Sequence, residues 1–183
     1  MKNILVVMNM QNGLVNTNEK VALSQKIIDL VQKHIFDRVV CVKFVNRDDG
    51  VFPKYHRYYD MHKGKEIELV DELTADLIIN RSIYSCVAED FVEKVKKIND
   101  GDNLVELFLC GIGTDTSIFK SALDLFELDI KPIVLADYCI PNDNSAITQM
   151  KGIKLISSMI GEKCIVTKKI ETHEDLQGIA CIK

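Results

Sequence analysis

The sequence lacks the features that mark several common classes of protein. No apolar run approaches the roughly 20 residues that a helix needs to cross a bilayer. The formal net charge is −4, and no basic segment is dense enough to offset it. The six cysteines, spread from position 41 to position 181, include no C-x-x-C pair. We therefore expect no membrane partner, no nucleic-acid partner, no disulfide framework and no zinc site.

The beginning of the sequence also lacks the pattern of a signal peptide. Lys2 is followed by only a short apolar run, and polar residues begin at Asn9. Most of the cysteines lie in apolar, strand-like runs, as buried and reduced thiols do. These two observations predict a cytoplasmic protein.

What the chain contains is the composition of an ordinary globular domain. Of its 183 residues, 47% are hydrophobic and 27% are charged. This length fits one domain with a substantial core. No linker, internal repeat or low-complexity segment divides the chain, so we expect a single domain over residues 1–183.

Apolar runs alternate with segments that carry apolar residues at three- and four-residue spacing. The runs are rich in Val, Ile and Leu, which is typical of strands buried on both faces. The alternation predicts an α/β fold with a doubly wound, mainly parallel six-stranded sheet. The predicted strands are 4–9, 38–44, 76–80, 104–110, 131–137 and 163–167, and the predicted helices are 21–34, 87–98, 117–128 and 145–160.

Two segments interrupt this alternation. Residues 45–75 form a long connection with only a weak helical pattern near 66–73, and a long irregular connection in a small domain is often a binding loop. The tail, residues 169–183, allows two interpretations: it packs on the domain, or it mediates contacts between subunits.

Ligands of open parallel sheets bind beyond the carboxyl ends of the strands. The first strand ends in the amides Asn9, Gln11 and Asn12, with no acid among them. After the fourth strand, a Gly-Ile-Gly turn leads into a helical pattern with Ser117 in its first turn. There the free N–H groups and the helix dipole favour an anion. Ser117 is either a nucleophile or simply a small residue at a helix start.

The same turn allows a nucleotide-binding interpretation. Gly111 and Gly113 match part of a dinucleotide fingerprint, but Thr116 replaces the third glycine and the motif follows the fourth strand instead of the first.

Five segments of the chain, in order, resemble the isochorismatase-like cysteine hydrolases, which include nicotinamidases, carbamoylsarcosine amidases and isochorismatase. Three of that family's patterns are V-V-D-M-Q-N-D-F, K-x-x-Y-S-A-F and G-V-x-T-D-x-C-V. The segments here read V-M-N-M-Q-N-G-L from residue 7, H-K-G-K-E-I-E-L-V-D-E-L from residue 62, R-S-I-Y-S-C-V from residue 81, G-I-G-T-D-T-S-I from residue 111 and A-L-D-L-F-E-L-D-I-K-P-I-V-L-A-D-Y-C from residue 122.

The resemblance implies a three-layer α/β/α sandwich and a catalytic triad of Asp, Lys and Cys. In the family the Asp is the base, the Lys supplies positive charge and the Cys attacks a carbonyl. Here Asn9, Arg81 and Ser117 stand at those positions. The resemblance also implies a cis peptide in the Cys turn, near Ile112–Gly113.

All three substitutions remove proton-transfer chemistry. Asn is not a base near neutral pH, Arg does not release its proton, and a Ser hydroxyl ionises far less readily than a thiol. We therefore expect weak or no cysteine-hydrolase activity and a retained pocket for a small carbonyl or carboxylate compound. The expected ligand-binding residues are Gln11, Tyr84, Cys86, Ile112 and Gly113.

Other interpretations remain open. Ser117 or Cys86 could serve an active hydrolase by a divergent mechanism, or the protein could be a structural or regulatory subunit. By resemblance we expect a homo-oligomer, a dimer or a tetramer. We expect no cofactor and no metal, because the D-x-H metal motif of nicotinamidases is replaced by F-V-N-R-D-D; His56, Asp60 and His62, further on, are interpreted as solvated loop residues.

Overall fold

The computed structural model describes residues 2–88, 90–143 and 145–180. In this part of the chain, six parallel strands form one sheet in the order β3-β2-β1-β4-β5-β6, and five α-helices flank it. The strands are β1 (Ile4–Met8), β2 (Arg38–Phe44), β3 (Leu77–Arg81), β4 (Glu106–Ile112), β5 (Lys131–Ile140) and β6 (Ile165–Val166). The helices are α1 (Asn18–Gln32), α2 (Phe91–Ile98), α3 (Ser117–Glu127), α4 (Gln149–Ile160) and α5 (His173–Ala180).

The central strands explain why the fold could be predicted. Every residue of β1 and of β4 is buried, as expected for strands that are covered on both faces. Val6 lies beside Val40 of β2 on one side and beside Leu109 of β4 on the other. These observations confirm the predicted doubly wound α/β fold, in which all six strands prove to be parallel.

Two segments near the strand ends differ from what the sequence suggested. Strand β5 continues past Asp137 to Ile140, because Tyr138 and Cys139 are buried again beyond that exposed side chain, and Cys139 and Ile140 pair with the end of β4. The predicted helical pattern near 66–73 forms only a single 3₁₀ turn, Gly64–Ile67. After this turn the chain runs extended, and Leu69 pairs in antiparallel fashion with Gln11.

The long connection 45–75 folds over the carboxyl edge of the sheet. It contains a π-helical turn at Phe52–His56 in addition to the 3₁₀ turn. Phe44, at the end of β2, packs with Phe52 and Met61 in a small hydrophobic cluster of its own. The connection therefore forms one wall of the space above the strand ends.

The described part of the tail packs on its own domain. Ile170 and Leu176 are fully buried in the main hydrophobic core, and Tyr138 Oη donates a hydrogen bond to the Ile170 carbonyl at 3.3 Å. This supports the first of the two interpretations of residues 169–180; residues 181–183 lie outside the described part. The homo-oligomer stays a prediction.

The strand order places a crevice between β1 and β4. These two strands are neighbours, but the chain leaves β1 toward β2 and leaves β4 toward β5, in opposite directions along the sheet. Such a switch point is where open α/β sheets bind ligands. Among the described residues, no helix has the length and apolar character needed to traverse a bilayer.

Candidate functional site

Asn9, Arg81 and Ser117 meet at the carboxyl edge of the sheet. One terminal nitrogen of Arg81 donates to Asn9 Oδ1 at 2.6 Å and to Ser117 Oγ at 3.0 Å. Each of the three residues is only 4% exposed. Arg81 ends β3, Asn9 follows β1 and Ser117 begins α3. The three positions that the resemblance singled out therefore share one hydrogen-bond network.

Asn9 joins β1 to its neighbours on both sides. Its backbone is left-handed, with φ of 64°, a conformation that Asn adopts more readily than most residues. Its N–H donates to the Val42 carbonyl at 3.1 Å, and its Nδ2 donates to the Ile112 carbonyl at 2.8 Å. Because Arg81 only donates and a carbonyl only accepts, the amide has one orientation that satisfies both partners.

The turn after β4 brings the start of α3 close to β1. A side chain at Gly111 would place its Cβ 2.1 Å from the Met8 carbonyl oxygen, and φ there is 124°. Gly113, with φ of 106°, donates its N–H to the Ile140 carbonyl at 2.7 Å. Both glycines are therefore required by close backbone packing, and no dinucleotide fingerprint is needed to explain them.

One detail of this turn corrects an expectation from the sequence, and a second describes how α3 begins. No cis peptide occurs in the described residues, so the Ile112–Gly113 bond is trans, and its carbonyl accepts from the Asn9 amide. Ser117 is the first residue of α3, as expected, but the N-cap is Thr116, whose side chain makes no capping hydrogen bond. Asp115 instead accepts the Asn142 N–H at 2.9 Å, which ties the turn to the loop after β5.

Arg81 is a buried cation for which no described residue supplies a counter-ion. Its remaining terminal nitrogen donates to the Ile83 carbonyl, its Nε has no hydrogen-bond partner, and it forms no salt bridge with any described residue. Its guanidinium carbon lies 5.6 Å from the centre of the Phe44 ring. Burial lowers the pKa of Arg81 to about 10, which still leaves the group charged at neutral pH.

A cavity of about 760 Å³ opens from these three residues. Aromatic rings form one wall of it: Phe52 packs edge-to-face on Phe44 and on Tyr84, with ring centres 4.8 and 4.9 Å apart. The opposite wall comes from the start of α1 and the loop after β5. The lining residues are Asn9, Leu14, Lys20, Phe44, Phe52, His56, Tyr58, Arg81, Tyr84, Ser117, Asn142 and Asp143.

Of the five residues expected to contact a ligand, only Tyr84 lines the cavity. Gln11 is fully buried, and its amide exchanges hydrogen bonds with the backbone of Phe44 and donates to Ile67, so it belongs to the framework. The Ile112 backbone carbonyl accepts a hydrogen bond from the Asn9 amide, and Gly113 forms part of the turn after β4, where its N–H donates to the Ile140 carbonyl.

Cys86 is not among the residues that line the cavity. Its side chain is fully buried, and its backbone N–H donates to Ser121 Oγ at 2.8 Å. Burial raises the pKa of the Cys86 thiol to about 11, so the thiol is protonated at neutral pH. This environment favours the structural interpretation of this cysteine.

Several lining residues were missed by reasoning from the sequence. Lys20, only 3% exposed, forms an ion pair with Asp143. His56 lines the cavity, although it was interpreted as a solvated loop residue. Asn142 and Asp143 follow the true end of β5, and the strand-end rule would have found them if that end had been predicted at Ile140.

The histidines and acids of the long loop do not form a metal centre in the described residues. No group of three or more His, Cys, Asp or Glu side chains there could hold a metal ion. His62 instead contacts Asp48, with Nδ1 and Oδ1 3.4 Å apart.

Comparisons with solved structures support the fold. The chain is 18% identical to N-carbamoylsarcosine amidase from Thermoplasma acidophilum, with a TM-score of 0.72, covering 93% of this chain and 99% of that one. It is 17% identical to yeast nicotinamidase bound to the inhibitor nicotinaldehyde, with a TM-score of 0.74, covering 91% and 100%. It is 15% identical to pyrazinamidase of Pyrococcus horikoshii in complex with zinc, with a TM-score of 0.72, covering 92% of this chain and 100% of that one.

No curated protein matches the sequence significantly. A family model, by contrast, matches residues 3–164, which is most of the chain, and its description is the isochorismatase domain. The chain therefore belongs to the isochorismatase domain family.

Proposed function

We propose that this protein uses an isochorismatase-family hydrolase fold to bind a small carbonyl or carboxylate compound and has weak or no cysteine-hydrolase activity. The proposal rests on the buried guanidinium of Arg81 and on its hydrogen-bond and charge partners. Its guanidinium is buried, it faces the cavity, it has an unpartnered N–H, and it forms no salt bridge with any described residue.

The first step of the argument concerns the missing base. Asn9 stands where the family's acid is expected, and both ends of its amide are already hydrogen-bonded. The only described partner of Ser117 Oγ is Arg81, which donates and does not accept a proton. A Ser hydroxyl needs a neighbouring base to become a nucleophile, so the proposed site does not form an acyl-enzyme.

The second step concerns what the site can bind. A buried cation without a counter-ion carries a desolvation cost, and an anion placed against it offsets that cost. Guanidinium donors also match the geometry of a carboxylate. The aromatic wall formed by Phe44, Phe52 and Tyr84 offers apolar surface to the rest of the ligand. A small organic carboxylate, or a carbonyl compound at the same donors, fits both features.

The binding test compares butyrate and butyramide with wild type and Arg81→Met by isothermal titration calorimetry. Hydrogen bonds to charged groups contribute about 1.5–3 kcal/mol, so we expect Arg81→Met to weaken butyrate binding roughly ten- to hundredfold. Arg38→Met is the matched control, because Arg38 is at the start of β2, outside the cavity, and donates to the backbone carbonyls of Asp37 and Ile98.

A turnover assay with small amides completes the test. We expect no turnover above background, and no change in Ser117→Ala. Amide hydrolysis that Ser117→Ala abolishes would contradict the proposal and favour an active hydrolase. Butyrate binding that Arg81→Met leaves intact would contradict the assignment of the anion to Arg81.

A further inference from the structure

A second buried cation lines the same cavity. Lys20 lies in the first turn of α1, and its side chain is 4% exposed. Its ammonium has three donors, and its ion pair is with Asp143, in the loop after β5. Arg81 ends β3, whereas the acid paired with Lys20 follows β5, on the other side of β1 and β4 in the sheet order, and the described hydrogen bonds of the two cations share no partner.

Asp143 is a weakly anchored partner for this lysine. Its side chain is 43% exposed, against 4% for Lys20. Besides Lys20, Asp143 is contacted by Asn16. With its amide nitrogen turned toward the acid, Asn16 donates to Asp143 Oδ2 at 3.3 Å and to the Leu14 carbonyl at 3.3 Å. The acid can turn into solvent, whereas the ammonium cannot leave its buried position without unpacking the start of α1. Because an unpaired buried ammonium is costly, a ligand anion has to take the place of Asp143 when the acid turns away.

The charged lining residues distinguish ligands that carry one acidic group from ligands that carry two. Among the described lining residues, Arg81 and Lys20 are cations and Asp143 is the one carboxylate. A monocarboxylate on Arg81 makes the cavity neutral while Asp143 stays in place. A second acidic group has one further buried cation available, Lys20, and it competes there with Asp143.

On this basis, which rests on the proposed function, we propose that the ligand carries two acidic groups, one bound by Arg81 and the other by Lys20. Asp143 occupies Lys20 in the absence of that ligand. The carboxylate of Asp143 is thus an internal competitor for the second anion position, and its displacement couples ligand binding to the loop after β5.

The test compares dicarboxylates with monocarboxylates of the same length, malonate, succinate and glutarate against propionate, butyrate and valerate, by isothermal titration calorimetry. We expect at least one dicarboxylate to bind wild type more tightly than its matched monocarboxylate. Asp143→Asn removes the competitor and one negative charge, so we expect both classes of ligand to bind more tightly and the preference for the dicarboxylate to increase about tenfold. Lys20→Met should abolish the preference.

Matched controls come from a second pair of the same kind. Lys26 of α1 contacts Asp137 of β5 with Nζ and Oδ2 4.0 Å apart, outside the cavity. Asp137→Asn and Lys26→Met should leave both affinities unchanged. Circular dichroism of each variant establishes that it is folded, and Asp143→Asn, at a half-exposed loop position, tests the inference even if Lys20→Met is unstable.

The two proposals fail in different ways. If wild type binds neither mono- nor dicarboxylates, the proposed function is overturned. If butyrate binds and depends on Arg81, but Asp143→Asn binds succinate and glutarate no better than butyrate and valerate, only the second anion position is overturned.

Discussion

Asn9→Asp is the most informative perturbation of this site, because it places an acid where the resemblance leads us to expect one, at the cost of one hydrogen bond. The Asn9 amide donates to the Ile112 carbonyl at 2.8 Å and accepts from Arg81 at 2.6 Å. An ionised carboxylate keeps the second interaction and turns the first into a contact between two oxygens. The substitution therefore neutralises Arg81 and leaves the Ile112 carbonyl without its donor.

The magnitudes indicate a small change in stability and a large change in anion affinity. At an effective dielectric constant of about 20, a pair of charges roughly 4 Å apart gains about 4 kcal/mol. Desolvation of the new carboxylate costs several kcal/mol, and the orphaned carbonyl costs about 1–3 kcal/mol. A bound carboxylate roughly 5 Å from the new charge would be repelled by about 3 kcal/mol, close to a hundredfold loss of affinity.

The assay is calorimetric titration of wild type and Asn9→Asp with butyrate and with butyramide. Butyrate affinity should fall about a hundredfold, whereas the neutral amide should change far less because it carries no charge to repel. Asn99→Asp is the matched control: Asn99 is 1% exposed, bonds to the backbone carbonyls of Asp102 and Asn103, and lies outside the cavity. Equal butyrate affinity in Asn9→Asp and wild type would refute the reasoning.

Two further predictions concern the turn after β4 and the protonation of the cation. Gly111→Ala should lower the free energy of unfolding in urea by about 3 kcal/mol, from overpacking against Met8 and the strain of positive φ. Gly101→Ala, at φ of 85° with nothing within 4 Å of the added Cβ, should lose only about 1–2 kcal/mol, and equal losses would contradict the packing argument. Burial lowers the pKa of Arg81 to about 10, so butyrate affinity should stay constant just below that pH and fall as the pH rises through it. Calorimetric titrations at increasing pH measure this affinity. A constant affinity well above pH 10 would contradict the prediction.

The sheet and the positions of Asn9 and Ser117 could be predicted because their signals are local. The apolar runs of β1 and β4 identify buried parallel strands, and Asn9 and Ser117 each stand just after one of them. Arg81 ends β3, which is two strands away from β1, and the guanidinium reaches the crevice across the Phe44 ring. The position of Arg81 in that crevice came from the resemblance.

The second wall of the cavity could not be predicted, because its signals are not local. A lysine in the first turn of a helix is normally exposed, and the acid that pairs with Lys20 comes 123 residues later in the chain. Asp143 was missed in turn because the polar Asp137 suggested an earlier end to β5. Burial of a charged side chain depends on what the rest of the fold places above it, which no sequence window contains.

The amide at Asn9 and the cation at Arg81 are best understood together. An acid at position 9 would be a counter-ion for the guanidinium, and the site would then have a base but no free positive charge. The amide accepts from Arg81 without neutralising it and gives its own donor to the Ile112 carbonyl. Arg81 in turn keeps its proton, so it cannot relay one to or from Ser117. In the proposed function, the substitutions that remove proton transfer are the ones that leave a buried, unneutralised cation for an anionic ligand.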